Sequence, residues 1–154
     1  MSTVHLCTGL LEREGCVLLV ASRYPNQPQP LWNLPGGRLR PGELFETALR
    51  REFREEADLD VEVGNLLYLS ESYDRATGTH FLNVTFAVSA GGKPREVASD
   101  AHVVGLAWVP REEIAARVSV RVVREPLLAA LAGEPRRYFG YDDAGITIEF
   151  ADPA

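Results

Sequence analysis

A chain of 154 residues, 45% hydrophobic and 25% charged, has the size and composition of one globular domain, able to bury about two thirds of its unfolded surface. No apolar run approaches the roughly 20 residues that cross a bilayer, which excludes membrane insertion through helices. The formal net charge of -6 argues against a stable nucleic-acid complex, because such binders set clustered Lys and Arg against phosphate. An acidic protein still acts on an anion when a metal cation mediates the contact. The first residues, "MSTVHLCTGLLEREG", lack the basic, apolar and small-residue succession of a signal peptide, so the expected compartment is the cytoplasm. Cys7 and Cys16 each lie in an apolar run and read as two buried thiols, with a structural disulfide as the alternative.

In chain order, "VHLCTGLL" and "CVLLVASR" flank "EREG" and read as a hairpin. "YPNQPQP" is too rich in proline for regular structure and predicts a surface loop leading into "LWNLPGG". A helix is expected over residues 44–57. "NLLYLSESY" and "THFLNVTFAV" around "DRATG" predict a second hairpin, and "GLAWVP" a short strand. "REEIAARV" and "REPLLAALAG" read as helical, the latter with Pro126 in its first turn and Gly133 at its end. "RRYFGY" and "ITIEF" around "DDAG" suggest a last hairpin. No repeat or linker divides the chain, so residues 1–154 are expected to form a single α+β domain with a mixed sheet.

The helix over residues 44–57 carries an anomaly. It contains neither Gly nor Pro and is dominated by helix formers. With Phe45 at 0° on a helical wheel, Ala48, Leu49, Phe53 and Ala57 form a buried stripe between about 300° and 120°. Glu52, Glu55 and Glu56 fall near about 340°, 280° and 20°, inside or beside that stripe. An uncompensated carboxylate there costs several kcal/mol, so something positive must sit among them. Arg50 and Arg54 point away on the wheel, and only Arg51 neighbours Glu55. Carboxylates at i, i+3 and i+4 make a patch of hard oxygen ligands of the kind Mg²⁺ or Mn²⁺ prefers. Ahead of the helix, Gly36 and Gly37 of "LPGG" allow the backbone to approach a ligand closely or to expose a carbonyl.

The string "GRLRPGELFETALRREFREEADL", residues 37–59, resembles the Nudix box. That box reads G, five residues, E, seven residues, then R-E-U-x-E-E-x-G-U, where U is apolar. Gly37, Glu43, Arg51, Glu52, Phe53, Glu55, Glu56 and Leu59 fall at those spacings. Asp58 stands where the pattern has Gly; Asp is among the few residues that tolerate the left-handed conformation expected there. Outside the box the resemblance is confined to "LWNLPGG" before it and "AWVPREEI" behind it.

The resemblance implies an α/β/α sandwich of the Nudix type in which the box is a loop-helix-loop unit holding divalent cations. It implies a Mg²⁺-dependent pyrophosphohydrolase, with Mn²⁺ as the alternative ion, cleaving a nucleoside diphosphate linked to another moiety. A MutT-like nucleoside triphosphate is the leading substrate, and a nucleotide sugar or ADP-ribose the next. By the same resemblance Glu52, Glu55 and Glu56 are metal ligands, joined by a carbonyl of Gly36 or Gly37. Arg51 and Glu43 form a pair that orients them. The general base is Glu52 or Glu55, or else an acid in a later loop, where Asp100 and His102 are the candidates.

Arg23 and Arg38 are phosphate-contact candidates. Trp32, Tyr24, Tyr73 and Phe81 are candidates for stacking on a base, although aromatics in strands more often belong to the core. The expected partner is a small nucleotide, with a homodimer left open. Two other classes fit the fold. A regulatory nucleotide-binding module is disfavoured by a box with every acid present, and an isomerase by the lack of a cysteine near the helix.

Overall fold

The computed structural model describes residues 2–97 and 102–150. Its strands form two sheets. In the first, β1 (Thr3–Leu10) lies antiparallel to the short β5 (Gly36–Arg38) and parallel to β7 (Thr79–Ser89), β7 pairs antiparallel with β6 (Glu62–Asp74), and β6 pairs parallel with β9 (Tyr138–Tyr141). In the second, β3 (Cys16–Ser22) is flanked by β8 (Val103–Pro110) and by β2 (Glu12–Arg13) and β4 (Leu31–Asn33), all antiparallel to it. The mixed first sheet and the helices on either side give the expected α+β sandwich.

Helix α1 (Phe45–Ala57) forms where the apolar period predicts it. Its stripe of Ala48, Leu49, Phe53 and Ala57 is fully buried and packs with Cys7, Leu11, Leu18 and Val88. A second core lies on the other side of β3, where Val17, Leu19 and Val109 meet Ile114 of α2 (Ile114–Arg117), Val118, and Leu127 of α3 (Arg121–Leu131). Burial of each of these aliphatic side chains stabilises the fold by about 1.5–3 kcal/mol. Alternation along β3 therefore feeds two layers, with Leu18 toward α1 and Val17 and Leu19 toward α2 and α3. Among the described residues no helix is long and apolar enough to cross a membrane.

Three expectations need correction. The first hairpin is much shorter than the two apolar runs suggest: β1 has both edges taken by β5 and β7, so β3 cannot lie beside it. The chain leaves the first sheet near Leu11, and only β2 pairs back, through a turn with Glu14 at φ 52. Pro126 is interior to α3, not in its first turn, because the helix already starts at Arg121 and the Val120 carbonyl accepts from the Val123 and Arg124 amides. The final hairpin does not form. β9 pairs parallel with β6 instead, and residues 146–150 run as an irregular segment whose backbone groups bond to the Asn26 and Gln27 side chains. The β6/β7 hairpin, the β8 strand and the position of Gly133 just past α3 agree with the sequence reading. Both cysteines are free, so the disulfide alternative falls; Cys16 is half-buried, and Cys7 is buried under α1, which corrects the sequence reading that no cysteine lies near the helix.

Candidate active site

The loop-helix-loop unit is built by close backbone approach. Gly36 has φ +154, and a Cβ there would stand 2.0 Å from the Cys7 carbonyl oxygen. A Cβ on Gly37 would stand 2.6 Å from Glu52 Oε1, so the Glu52 carboxylate rests directly on the glycine's open face. The Gly36 amide donates to Glu56 Oε1 at 2.9 Å. These contacts lock β5 to the inward side of α1; a larger residue at Gly36 would meet backbone, and one at Gly37 would displace the Glu52 carboxylate.

Arg51 is the hub. Its Nε and Nη2 donate to Glu43 Oε2 and Oε1 at 2.8 and 2.9 Å. Its Nη1 donates to Glu52 Oε1 at 2.8 Å and Glu55 Oε2 at 3.3 Å, and Nη2 also reaches the Arg38 carbonyl at 3.1 Å. The arginine therefore joins Glu52 as well as the Glu55 expected from the helical wheel. Glu43 is further held by the Arg40 amide at 2.7 Å, and Arg40 Nη2 reaches Glu55 Oε1 at 3.3 Å. The forked bond from Arg51 holds the Glu43 carboxyl at about 2, well below its usual value. In return, Glu43 keeps the Arg51 guanidinium firmly charged.

Burial of the three helix glutamates follows their angles: Glu56 is 4% exposed, the Glu52 side chain 14% and the Glu55 side chain 40%. At the helix end Asp58 adopts the left-handed conformation at φ 55, and its amide and that of Leu59 cap the Arg54 and Phe53 carbonyls. The Asp58 carboxylate pairs with Arg95, whose amide bonds the Ala57 carbonyl at 2.9 Å. The departure from glycine is thus accommodated locally.

The unit opens onto a cleft of about 1010 Å³, the size range of small-molecule sites. Arg23, Trp32, Gly37, Arg38, Arg51 and the three glutamates line it, so the structure brings the sequence-derived candidates together, with Glu43 behind Arg51. Tyr24 and Phe81 line it too. Tyr24 is pushed up to about 12 by burial and by the Glu56 charge. His102 lies in the lining with its ring edge-on to Tyr24 at 4.9 Å. Tyr73 is not in the cleft: it stacks on His80 at 4.5 Å on the opposite face of β6 from Ser72. Asp100 lies outside the described residues.

Sequence reasoning missed the cleft floor. The register pairs Ser70 with Asn83 and Ser72 with Phe81, which puts their side chains on one face. Asn83 Nδ2 bonds the hydroxyls of Thr8 at 3.2 Å and Thr85 at 3.0 Å. The period of two in "YLSESY" and "FLNVTF" carries that signal. It also missed the Ile146, Ile148 and Phe150 contributions to the wall, for which an irregular segment offers no periodic signal.

Among the described residues no three His, Cys, Asp or Glu side chains converge as ready metal ligands; Arg51 bridges Glu52 and Glu55 instead. The donor chemistry nevertheless fits a hard divalent cation: oxygens only, from a helix at i, i+3 and i+4, beside a glycine whose missing Cβ leaves room at Glu52.

The NUDIX domain family model matches residues 3–131. Among curated relatives, the ADP-ribose pyrophosphatase of Methanocaldococcus jannaschii is 32% identical over 93 residues, 60% of this chain and 54% of that protein. The 8-oxo-dGDP phosphatase NUDT18 of Homo sapiens is 34% identical over 113 residues, 72% of this chain and 33% of that protein. The chain thus spans about half the first relative's length and a third of the second's. A solved structure described as a NUDIX hydrolase from Nitrosomonas europaea superposes with a TM-score of 0.74 at 26% identity, covering 88% of this chain and 92% of that one. With the box residues gathered around Arg51 and the match running through most of the sequence, the chain belongs to the Nudix family.

Proposed function

We propose that the chain is a divalent-cation-dependent pyrophosphohydrolase that cleaves a phosphoric anhydride in a nucleoside diphosphate linked to another moiety, with a MutT-like nucleoside triphosphate as the leading substrate. The observation that carries this reading is the Glu52 carboxylate set on the face of Gly37 and tied through Arg51 to Glu43. Glu52, Glu55, Glu56 and the Gly37 carbonyl are the groups that would hold Mg²⁺. When bound, the cation neutralises phosphate oxygens and acidifies a coordinated water.

The chain's own residues then divide the work. Arg51 and Glu43 position the carboxylates, the bidentate pair fixing the direction in which Glu52 and Glu55 present their oxygens. Glu55, the most exposed of the three, takes the proton of the attacking water. Arg23 and Arg38 meet the phosphate oxygens, and Trp32, with Arg117 stacked 4.8 Å over its ring, packs against the remainder of the substrate.

A second reading, hydrolysis of ADP-ribose or a nucleotide sugar, is supported by the likeness to the archaeal relative described as an ADP-ribose pyrophosphatase. The test is product formation from nucleoside triphosphates, including oxidised ones, and from ADP-ribose and nucleotide sugars, with Mg²⁺ and with chelator. Metal-dependent cleavage of one class is expected. Nucleotide binding that survives chelator without any cleavage would instead mark a regulatory module.

A further inference from the structure

The family match ends at residue 131, yet one wall of the cleft comes from beyond it. Residues 144–150 run back across the domain, starting where the Ala144 amide donates to the Tyr73 carbonyl at 2.7 Å. The Thr147 carbonyl accepts from Asn26 Nδ2 at 2.6 Å and Gln27 Nε2 at 2.9 Å, and the Glu149 amide donates to Asn26 Oδ1 at 2.9 Å. Asn26 thus uses both ends of its amide on this segment, and Thr147 Oγ1 adds a bond to the buried Asp74 at 3.1 Å. The segment is irregular but clamped.

Its side chains have a direction. Ile146 and Ile148 line the cleft together with Val120 and Val122 from the start of α3. Phe150 lies under the Arg38 guanidinium, 4.1 Å from its ring centroid, with Tyr24 edge-on at 6.2 Å. Because Arg38 follows Gly37, the segment ends against the carboxylate end of the cleft. The cleft is therefore two-ended. Its lining arginines, at positions 23, 38, 40 and 51, belong to segments before or within the box, whereas residues 120–123 and 144–150 offer the cleft aliphatic and aromatic surface. The hydroxyls and amide of Ser70, Ser72 and Asn83 lie on the floor.

We propose that residues 144–150 form the specificity wall of this cleft, with Phe150 a specificity-determining residue that selects a diphosphate bearing a nucleobase over one bearing a second polyanionic group. This rests on the reading of the site as a pyrophosphohydrolase and names its substrate class. A flat heterocycle buries one face against Ile146, Ile148 and Phe150 and turns its polar edge to Asn83 and the serines. A polyphosphorylated ring would set charge against Val120, Val122, Ile146 and Ile148, and among the described residues neither 120–123 nor 144–150 gives the cleft lining a basic side chain of its own, a desolvation cost without compensation. By stacking on Arg38, Phe150 also fixes the guanidinium that meets the phosphates, so one side chain couples the two ends.

The experiment is calorimetric titration, in Mg²⁺, of the α,β-methylene analogues of the four common nucleoside triphosphates and of the methylene-bisphosphonate analogue of a diphosphoinositol pentakisphosphate. The proteins compared are the unaltered chain, Phe150→Ala, Phe150→Tyr and Ile148→Asp. Phe150 belongs to none of the buried core clusters, so its truncation leaves the cores packed, and Ile148→Asp supplies a second route to the same wall. At least one nucleotide should bind the unaltered chain more tightly than the diphosphoinositol analogue. Phe150→Ala and Ile148→Asp should each weaken it by about tenfold, the loss typical of one base-stacking contact, and Phe150→Tyr should restore it. Equal binding of the diphosphoinositol analogue, or nucleotide affinities indifferent to both wall substitutions, would overturn the proposal. Hydrolysis is scored separately: metal-dependent cleavage with wall-independent binding keeps the pyrophosphohydrolase and removes the wall. Wall-dependent binding without cleavage does the reverse.

Discussion

Arg51 and Glu43 are joined by two parallel hydrogen bonds, Nε to Oε2 at 2.8 Å and Nη2 to Oε1 at 2.9 Å, and this fork aims the third guanidinium nitrogen at Glu52 and Glu55. Because the pair holds Glu43 at about 2 against an ordinary value of 4.5, its contribution to stability has a defined pH window. The folded value is depressed, so the stabilisation is complete above about 4.5 and is lost as pH falls toward about 2. Glu43→Gln should lower stability at pH 7 by about 1–2 kcal/mol. The difference from the unaltered chain should shrink steadily below pH 4.5, as read by urea denaturation across pH. A difference independent of pH would mean the fork does not set the Glu43 charge.

The glycines before the helix should fail in different ways. A methyl on Gly36 meets backbone, the Cys7 carbonyl oxygen at 2.0 Å, whereas one on Gly37 meets the end of a side chain, Glu52 Oε1 at 2.6 Å. Gly36→Ala should therefore cost about 3 kcal/mol of stability. Gly37→Ala should cost less, because the carboxylate can swing away, while activity falls about 100-fold. Equal melting temperatures for the two variants would refute this division.

Asp58 occupies a left-handed position at φ 55. Replacing it with Gly relieves about 1 kcal/mol of backbone strain and gives up an exposed pair with Arg95, and exposed pairs contribute little. Asp58→Gly should raise the melting temperature by about 2–4 °C without altering metal affinity, and Asp58→Ala should lower it. Scanning calorimetry decides the matter, and a lower value for the glycine variant would show that the Arg95 pair outweighs the strain.

The two thiols should differ in reactivity. Burial raises the Cys7 thiol to about 12, and its Sγ faces the Gly37 carbonyl at 3.7 Å, while Cys16 is half-buried. Thiol labelling of the folded protein at pH 8 should modify Cys16 alone, with Cys7 reacting after denaturation. Rapid labelling of both would contradict the packing of α1 on β1.

The helix and its glutamates were legible because a 3.6-residue period is local: the angles of Glu56, Glu52 and Glu55 from the stripe set their order of burial before any contact is known. The β6/β7 hairpin was legible for the same reason, its partners being adjacent in sequence. Strand pairing over long separation was not. Nothing in "VHLCTGLL" says that β5 and β7 occupy both edges of β1, and nothing in "RRYFGY" says that β9 lies parallel to β6. The wall around Phe150 was illegible for a further reason, since the Asn26 clamp satisfies backbone groups through side chains and leaves no periodic trace.

Mn²⁺ binding followed by electron paramagnetic resonance, in the unaltered chain and in Glu52→Gln and Glu56→Gln, asks directly whether the α1 glutamates share a cation. The unaltered chain should bind Mn²⁺ that Mg²⁺ displaces, and either substitution should weaken that binding by about 10-fold or more. Mn²⁺ affinity unchanged by both substitutions would contradict that expectation, and the crowded glutamates of α1 would then need another explanation than a shared cation.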